Sequence, residues 1–185
     1  MGLRQMRRRI QQQRMVARQR FRRQKNVNLL AQPGVCDFVL ILDGLKPAFN
    51  IGKIFRSADA FGAREVHLVG IDFFDPAPAM GSFKWVPARF HDHFGTCYQE
   101  LAKRRYTLFT LDPVNGIPLT EAILPKRSAF ILGHEEYGVS ADIAACPGLR
   151  SLTIPQVGKV QSLNVSIAAS IVMWEYLRQH PAHPT

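Results

Sequence analysis

Hydrophobic residues fall along this chain in short continuous runs separated by stretches of helical spacing. The run CDFVLIL (36–42) has strand length and ends in the turn signals of DGLKP. In AFNIGKIFRSADAFGA (48–63), Ile51, Ile54, Phe55, Ala58 and Phe61 recur every three or four residues, the period of a helix buried on one face, and Gly62 is a natural stop. EVHLVGI (65–71), YTLFTL (106–111), RSAFILG (127–133) and LRSLTIP (149–155) read as further strands. GTCYQELAKRR reads as a helix, and LTEAI and SADIAA as short helical turns. A last helix is predicted over 162–179, with Val165, Ile167, Ala168, Ala169, Ile171 and Val172 in a body apolar enough to be buried. Residues 72–94 carry three prolines and many aromatics and read as a long loop. Continuous apolar strands alternating with helices predict an α/β fold, a mostly parallel sheet flanked by helices on both faces.

Composition adds one feature that the pattern does not contain. The net charge is +10, and residues 1–25 hold nine arginines and Lys25 with no acidic residue, while the 14 basic and 14 acidic residues of 26–185 cancel. Residues 1–30 are therefore read as a basic, Arg-rich arm on a domain of residues 31–185. An excess of this kind implies a polyanionic partner, RNA above all. The apolar stripe Leu3, Met6, Ile10, Ala17, Phe21 is thin, so three readings stand: a solvated tail, an arm that orders on RNA, or a targeting segment. No apolar run approaches the roughly 18–20 residues of a membrane span. Cys36, Cys97 and Cys146 are few, scattered and odd in number, which predicts reduced thiols and a cytoplasmic protein rather than a disulfide or zinc framework.

Ligands of parallel sheets bind beyond the carboxyl ends of the strands. Three strand exits have unusual composition: FNIGKIFRSADAFG, LGHEEYGVS and IPQVGKVQSLNVS, each combining glycine with polar or charged side chains. None is a dinucleotide GxGxxG or a P-loop, so a phosphate cradle is not indicated. Taken singly, each has an ordinary reading, with Gly52 in a packed turn, Gly133 and Gly138 in a tight turn, and Ser162 as a helix cap. Glycine-bearing loops with apolar flanks also suit close approach of backbone to a flat ligand. HDH at 91–93 is a weak metal signal, two histidines in a loop without cysteine, and no metal is expected. Trp85, Phe90 and Phe94 suit either base stacking or a core.

Together, in this order, Asn50-x-Gly52-x-Ile54-x-Arg56, Gly133-x-Glu135-x-x-Gly138, and Ile154-Pro155-x-x-Gly158 followed by Ser162-Leu163-Asn164-Val165-Ser166 closely resemble the three motifs of the SpoU (TrmH-like) branch of SPOUT RNA methyltransferases. The resemblance spans roughly residues 36–178. His134 and Gln161 depart from its commonest form, where asparagine and glutamate are frequent. It implies a SPOUT-type sheet with a C-terminal trefoil knot, a homodimer, S-adenosyl-L-methionine as methyl donor, and a ribose 2'-hydroxyl of tRNA or rRNA as acceptor. The small residues Ala168, Ala169 and Ser170 would suit close helix packing in such a dimer. The cofactor is then expected against Thr110, Leu132, Gly133, Ile154, Gln156 and Leu163. The catalytic set is Arg56, Asn50, Glu135, Ser162 and Asn164. Arg56 is cast by the resemblance as general base; a guanidinium normally stays protonated, so stabilisation of a 2'-oxyanion is the alternative. An arginine in an apolar helix is expensive unless paired. A catalytically silent RNA-binding protein of the same fold is the competing reading.

Overall fold

The computed structural model describes residues 3–46, 48–134, 138–144 and 146–182. Seven strands form one sheet in the order β3-β2-β1-β6-β4-β7-β5. They are β1 (Val39–Asp43), β2 (Glu65–Val69), β3 (Ala88–His91), β4 (Thr107–Leu111), β5 (Ile117–Pro118), β6 (Ser128–Leu132) and β7 (Arg150–Thr153). Every pairing between them is parallel; Val39, for example, lies between Glu65 and Ala129. The helices are α1 (Leu3–Asn28), α2 (Phe49–Ala60), α3 (Phe94–Lys103), α4 (Ala141–Ala144) and α5 (Val165–Gln179).

The four central apolar runs, β1, β2, β4 and β6, become strands because alternate residues are buried on opposite faces of the sheet. Leu40, Leu42, Phe130 and Leu132 enter the core beneath α2 and α5, whereas Val39, Ile41, Ala129 and Ile131 pack with Cys97 and Leu101 of α3 and Ile143 of α4. Edge strands β3 and β5 depart from the expected pattern. β3 is half-buried, and β5 is two residues long, so neither has a continuous apolar run. The stretch 119–123, read as a short helical turn, is a hydrogen-bonded turn over 119–121 after β5 and irregular beyond it. Within 72–94 the chain makes two 3₁₀ turns, Ala77–Ala79 and Ser82–Lys84, before β3. Phe94 is buried in the core and Phe90 packs against it, whereas Trp85 is exposed.

The basic segment is a helix, and its second half is part of the packing. Ala17, Phe21, Gln24 and Asn28 form one buried stripe at helical spacing. The Phe21 ring lies 5.3–5.6 Å from those of Phe73, Phe74 and Phe83. Asn28 Nδ2 donates to the carbonyls of Phe83 and Val86, while its Oδ1 accepts from Ala88 N–H. Residues 4–16 are exposed throughout, so this half of α1 presents its arginines to solvent.

Among the described residues, no helix is long and apolar enough to cross a membrane. The small-residue face of α5 is satisfied within the chain. Ala169 is fully buried, and Ser170 Oγ lies 2.8 Å from Ser57 Oγ of α2. The large apolar residues that α5 leaves uncovered are Ile167 and Trp174, 52% and 63% exposed.

Candidate active site

A cavity of about 300 Å³ opens where β4, β6 and β7 end. That size is at the lower end of the range for small-molecule sites. Its walls are Leu111–Pro113 after β4, Ile131–His134 with Gly138 and Val139 after β6, Ile154 and Gln156 after β7, and Ser162, Leu163, Val165 and Ala168 at the start of α5. Five of the six residues expected at the cofactor are here: Leu132, Gly133, Ile154, Gln156 and Leu163. Thr110 is not. It is buried in the sheet, with its Oγ1 donating to the Arg150 carbonyl at 3.4 Å, and strand alternation gives the wall to its neighbour Leu111.

Gly133 is required by contact. A Cβ there would stand 2.3 Å from the Gly138 carbonyl oxygen and 2.6 Å from Val139 N, because the loop closes on itself. That closure is a pair of backbone hydrogen bonds between His134 and Gly138, of 2.7 and 2.9 Å. The cavity's backbone wall is thus set by a residue without a side chain.

The remaining expected residues divide. Ser162 lines the cavity. Asn164 is the N-cap of α5, its Oδ1 accepting from Ser166 N–H at 3.0 Å and from Ser166 Oγ at 2.6 Å. Its Nδ2 donates to Oδ1 of the buried Asn50 at 3.4 Å, which joins the start of α5 to the start of α2. The helix begins after Asn164 rather than at Ser162, because the asparagine supplies the cap. Arg56 is exposed on α2, in a stripe with Phe49 and Lys53, and makes no ion pair among the described residues. The desolvation argument drawn from its apolar helix therefore does not apply; its charge is already in water. Glu135 lies outside the described residues.

Sequence reasoning missed Asp112. The exit of β4, LDPVNG, is a turn in which Asp112 Oδ1 accepts from the Val114 and Asn115 N–H groups at 2.8 and 2.9 Å. Those bonds, Asn115's first, hold its carboxyl below the usual carboxylate range. The same residue also lines the cavity, so an anion stands in the wall.

The lining fits S-adenosylmethionine. Apolar walls from Ile131, Leu132, Ile154 and Leu163 suit the adenine faces, and the Asp112 carboxylate suits a ligand carrying positive charge. Among the described residues Gln156 Oε1 is buried without a hydrogen-bond partner, an acceptor that a ligand N–H or O–H would satisfy.

A parallel α/β sheet with a small-ligand cavity beyond its strand ends is the architecture of a ligand-binding α/β domain. The chain belongs to the SpoU rRNA methylase family, whose model matches residues 37–174. It is 33% identical over 149 residues to the tRNA (guanosine(18)-2'-O)-methyltransferase of Thermus thermophilus, covering 77% of this chain and 75% of that one. It is 32% identical over 150 residues to the 23S rRNA (guanosine-2'-O-)-methyltransferase RlmB of Nitrosomonas europaea, over 77% of this chain and 56% of that one. Among solved structures it is similar to the SpoU methyltransferase AviRb of Streptomyces viridochromogenes in complex with AdoMet. There the TM-score is 0.72 at 28% identity, over 80% of this chain and 60% of the other.

Proposed function

We propose that this protein transfers a methyl group from S-adenosylmethionine to a ribose 2'-hydroxyl of structured tRNA or rRNA. The observation that carries the reading is the cavity itself. It gathers the predicted β6 and β7 exits around a Gln156 acceptor, buried and unpaired among the described residues, in a chain of the SpoU family. Relatives named as tRNA and rRNA 2'-O-methyltransferases support RNA as substrate.

When bound, the cofactor supplies an electrophilic methyl on a sulfonium. The apolar walls exclude water from it, and Ser162 and the capped Asn164–Asn50 pair fix the entrance of α5. Arg56, exposed on α2, would meet the RNA backbone and stabilise the negative charge that develops on the 2'-oxygen as the hydroxyl proton passes to bulk water. Glu135 belongs to the same reading as a positioning group. The SPOUT trefoil knot at the C-terminal part of the domain belongs to it too, supported by β7 pairing with β4 and by a cavity built from the last two strand exits. So do a homodimer, supported by the uncovered Ile167 and Trp174, and a cytoplasmic setting, supported by three free cysteines.

Calorimetry with S-adenosylmethionine, followed by transfer of labelled methyl into RNA with ribose mapping, tests the reading. Cofactor binding and 2'-O-methylation are expected. Arg56→Lys should abolish transfer and spare cofactor affinity, since lysine keeps the charge and loses the planar fork. RNA binding without cofactor binding would replace the enzyme with a silent binder.

A further inference from the structure

At the other edge of the sheet, three metal-type donors from separate elements converge. His67 on β2 is fully buried, Cys97 on α3 is fully buried, and His91 at the end of β3 is half-buried. His67 Nδ1 lies 2.9 Å from His91 Nε2 and 3.5 Å from Cys97 Sγ. All three donor atoms fall within 4.8 Å of one another. The two imidazole rings are parallel, 5.1 Å apart.

We propose that His67, His91 and Cys97 bind a zinc ion that staples edge strand β3 and helix α3 to β2. A tetrahedral Zn²⁺ with bonds of about 2.0–2.1 Å to nitrogen and about 2.3 Å to sulfur sets N···N near 3.3 Å and N···S near 3.6 Å. The N···S separation here already matches. The N···N separation opens by about 0.4 Å to match those bond lengths, a small turn of the half-exposed His91 ring.

The atoms behind the donors are arranged for ligation. His67 Nε2 faces Glu65 Oε1 at 3.2 Å, and Glu65 is buried and held by Arg89 and Arg104. A carboxylate that accepts a hydrogen bond from Nε2–H fixes the proton on that nitrogen and leaves the Nδ1 lone pair for a metal, the usual arrangement behind a ligating histidine. His91 Nδ1 faces Thr96 Oγ1 at 3.5 Å. Imidazole and thiolate are the donor types zinc prefers, and three protein ligands leave one position for water. On binding, the Cys97 S–H bond breaks, its proton goes to solvent, and the sulfur electron pair forms the Zn–S bond. The HDH dipeptide pair is not the site; only its first histidine takes part, with partners distant in sequence.

The test uses untagged full-length protein stripped with chelator and titrated with Zn²⁺ against a chromophoric competitor, then with Co²⁺ followed by absorption. One equivalent of zinc is expected, and cobalt should give tetrahedral bands with a thiolate charge-transfer band. Cys97→Ser should remove that band, and a Cys36→Ser, Cys146→Ser double variant should keep it. His91→Ala, at a half-exposed position, should weaken zinc at least tenfold, since even outer-shell replacements cost about 10–100-fold. Its cofactor affinity should match wild type, which reports that the fold is intact. Zinc should raise the melting temperature of wild type and not of His91→Ala. Absence of stoichiometric binding, or zinc affinity unchanged in folded His91→Ala, would overturn the site and leave a metal-free hydrogen-bonded cluster.

Discussion

Gly133 shows how much of the cavity depends on one missing side chain. Gly133→Ala puts a Cβ 2.3 Å from a carbonyl oxygen, so the loop after β6 must shift. Forcing atoms into a filled space costs about 1–3 kcal/mol. The expected outcome is a lower melting temperature with cofactor affinity reduced at least tenfold by calorimetry. Gly158→Ala, where nothing lies within 4 Å, should leave the melting temperature unchanged. Gly133 was singled out in the sequence only by the motif around it, because alone it reads as an ordinary turn glycine. Asp112 was not, because an aspartate before proline already has a complete local explanation in its turn. Thr110 stands one residue before the wall residue Leu111, and strand alternation turns that single step into the opposite side.

Among elements, α1 was the least legible. Its composition announced a charged arm, and a single phenylalanine decides that half of it docks. Phe21 touches four other phenylalanine rings, all within the segment 73–90 that reads in the sequence only as a loop. Removing residues 1–14 should leave the melting temperature unchanged, since the described part is exposed. It should also weaken RNA binding, flattening the salt dependence by about 0.7–0.9 log units for each phosphate no longer neutralised. Phe21→Ala should instead destabilise the protein by about 3 kcal/mol, measured by denaturant unfolding. The strands β1, β2, β4 and β6 were readable because both faces are buried, and β7 from its short apolar run although only Leu152 in it is buried; β3 and β5 lie at edges where that signal fades. For α5, exposed Trp174 is the test of a dimer. Trp174→Glu should convert a dimer to a monomer in light scattering at micromolar concentration while preserving the helical content.

Over the whole molecule, the second core layer is built around a charge. Glu65 is 2% exposed, bonded by Arg89 at 2.7 Å, by Arg104 and by His67. Burial alone would raise its carboxyl, but the hydrogen bonds from His67, Arg89 and Arg104 outweigh it and hold the group far below the usual carboxylate value of 4.5. A depressed native value adds stability that is present above that ordinary value and is lost as pH falls below it. Glu65→Gln should therefore be less stable than wild type near neutrality by about 2 kcal/mol, below the roughly 3–5 kcal/mol of a fully buried broken pair because Arg89 is half-exposed. The gap should narrow progressively below about pH 4.5, because the unfolded chain takes up a proton at Glu65 there while the folded state still holds the carboxylate ionised. Parallel unfolding curves of the two proteins across that range check it.

The strand order also fixes when the cavity can exist. β6 sits between β1 and β4, so Leu42 finds its partner Leu132 only after most of the chain has been made. Ser57 must wait longer still for Ser170. As a nascent chain emerges, the β3-β2-β1 half with α1, α2 and α3 is available early, with one edge of β1 unpaired. Pairings this distant in sequence are slow to form. The cofactor walls at 154–168 come last, so a growing chain is unable to hold a methyl donor until synthesis is nearly finished, and the open edge of β1 is the surface that must be kept from other chains in the meantime.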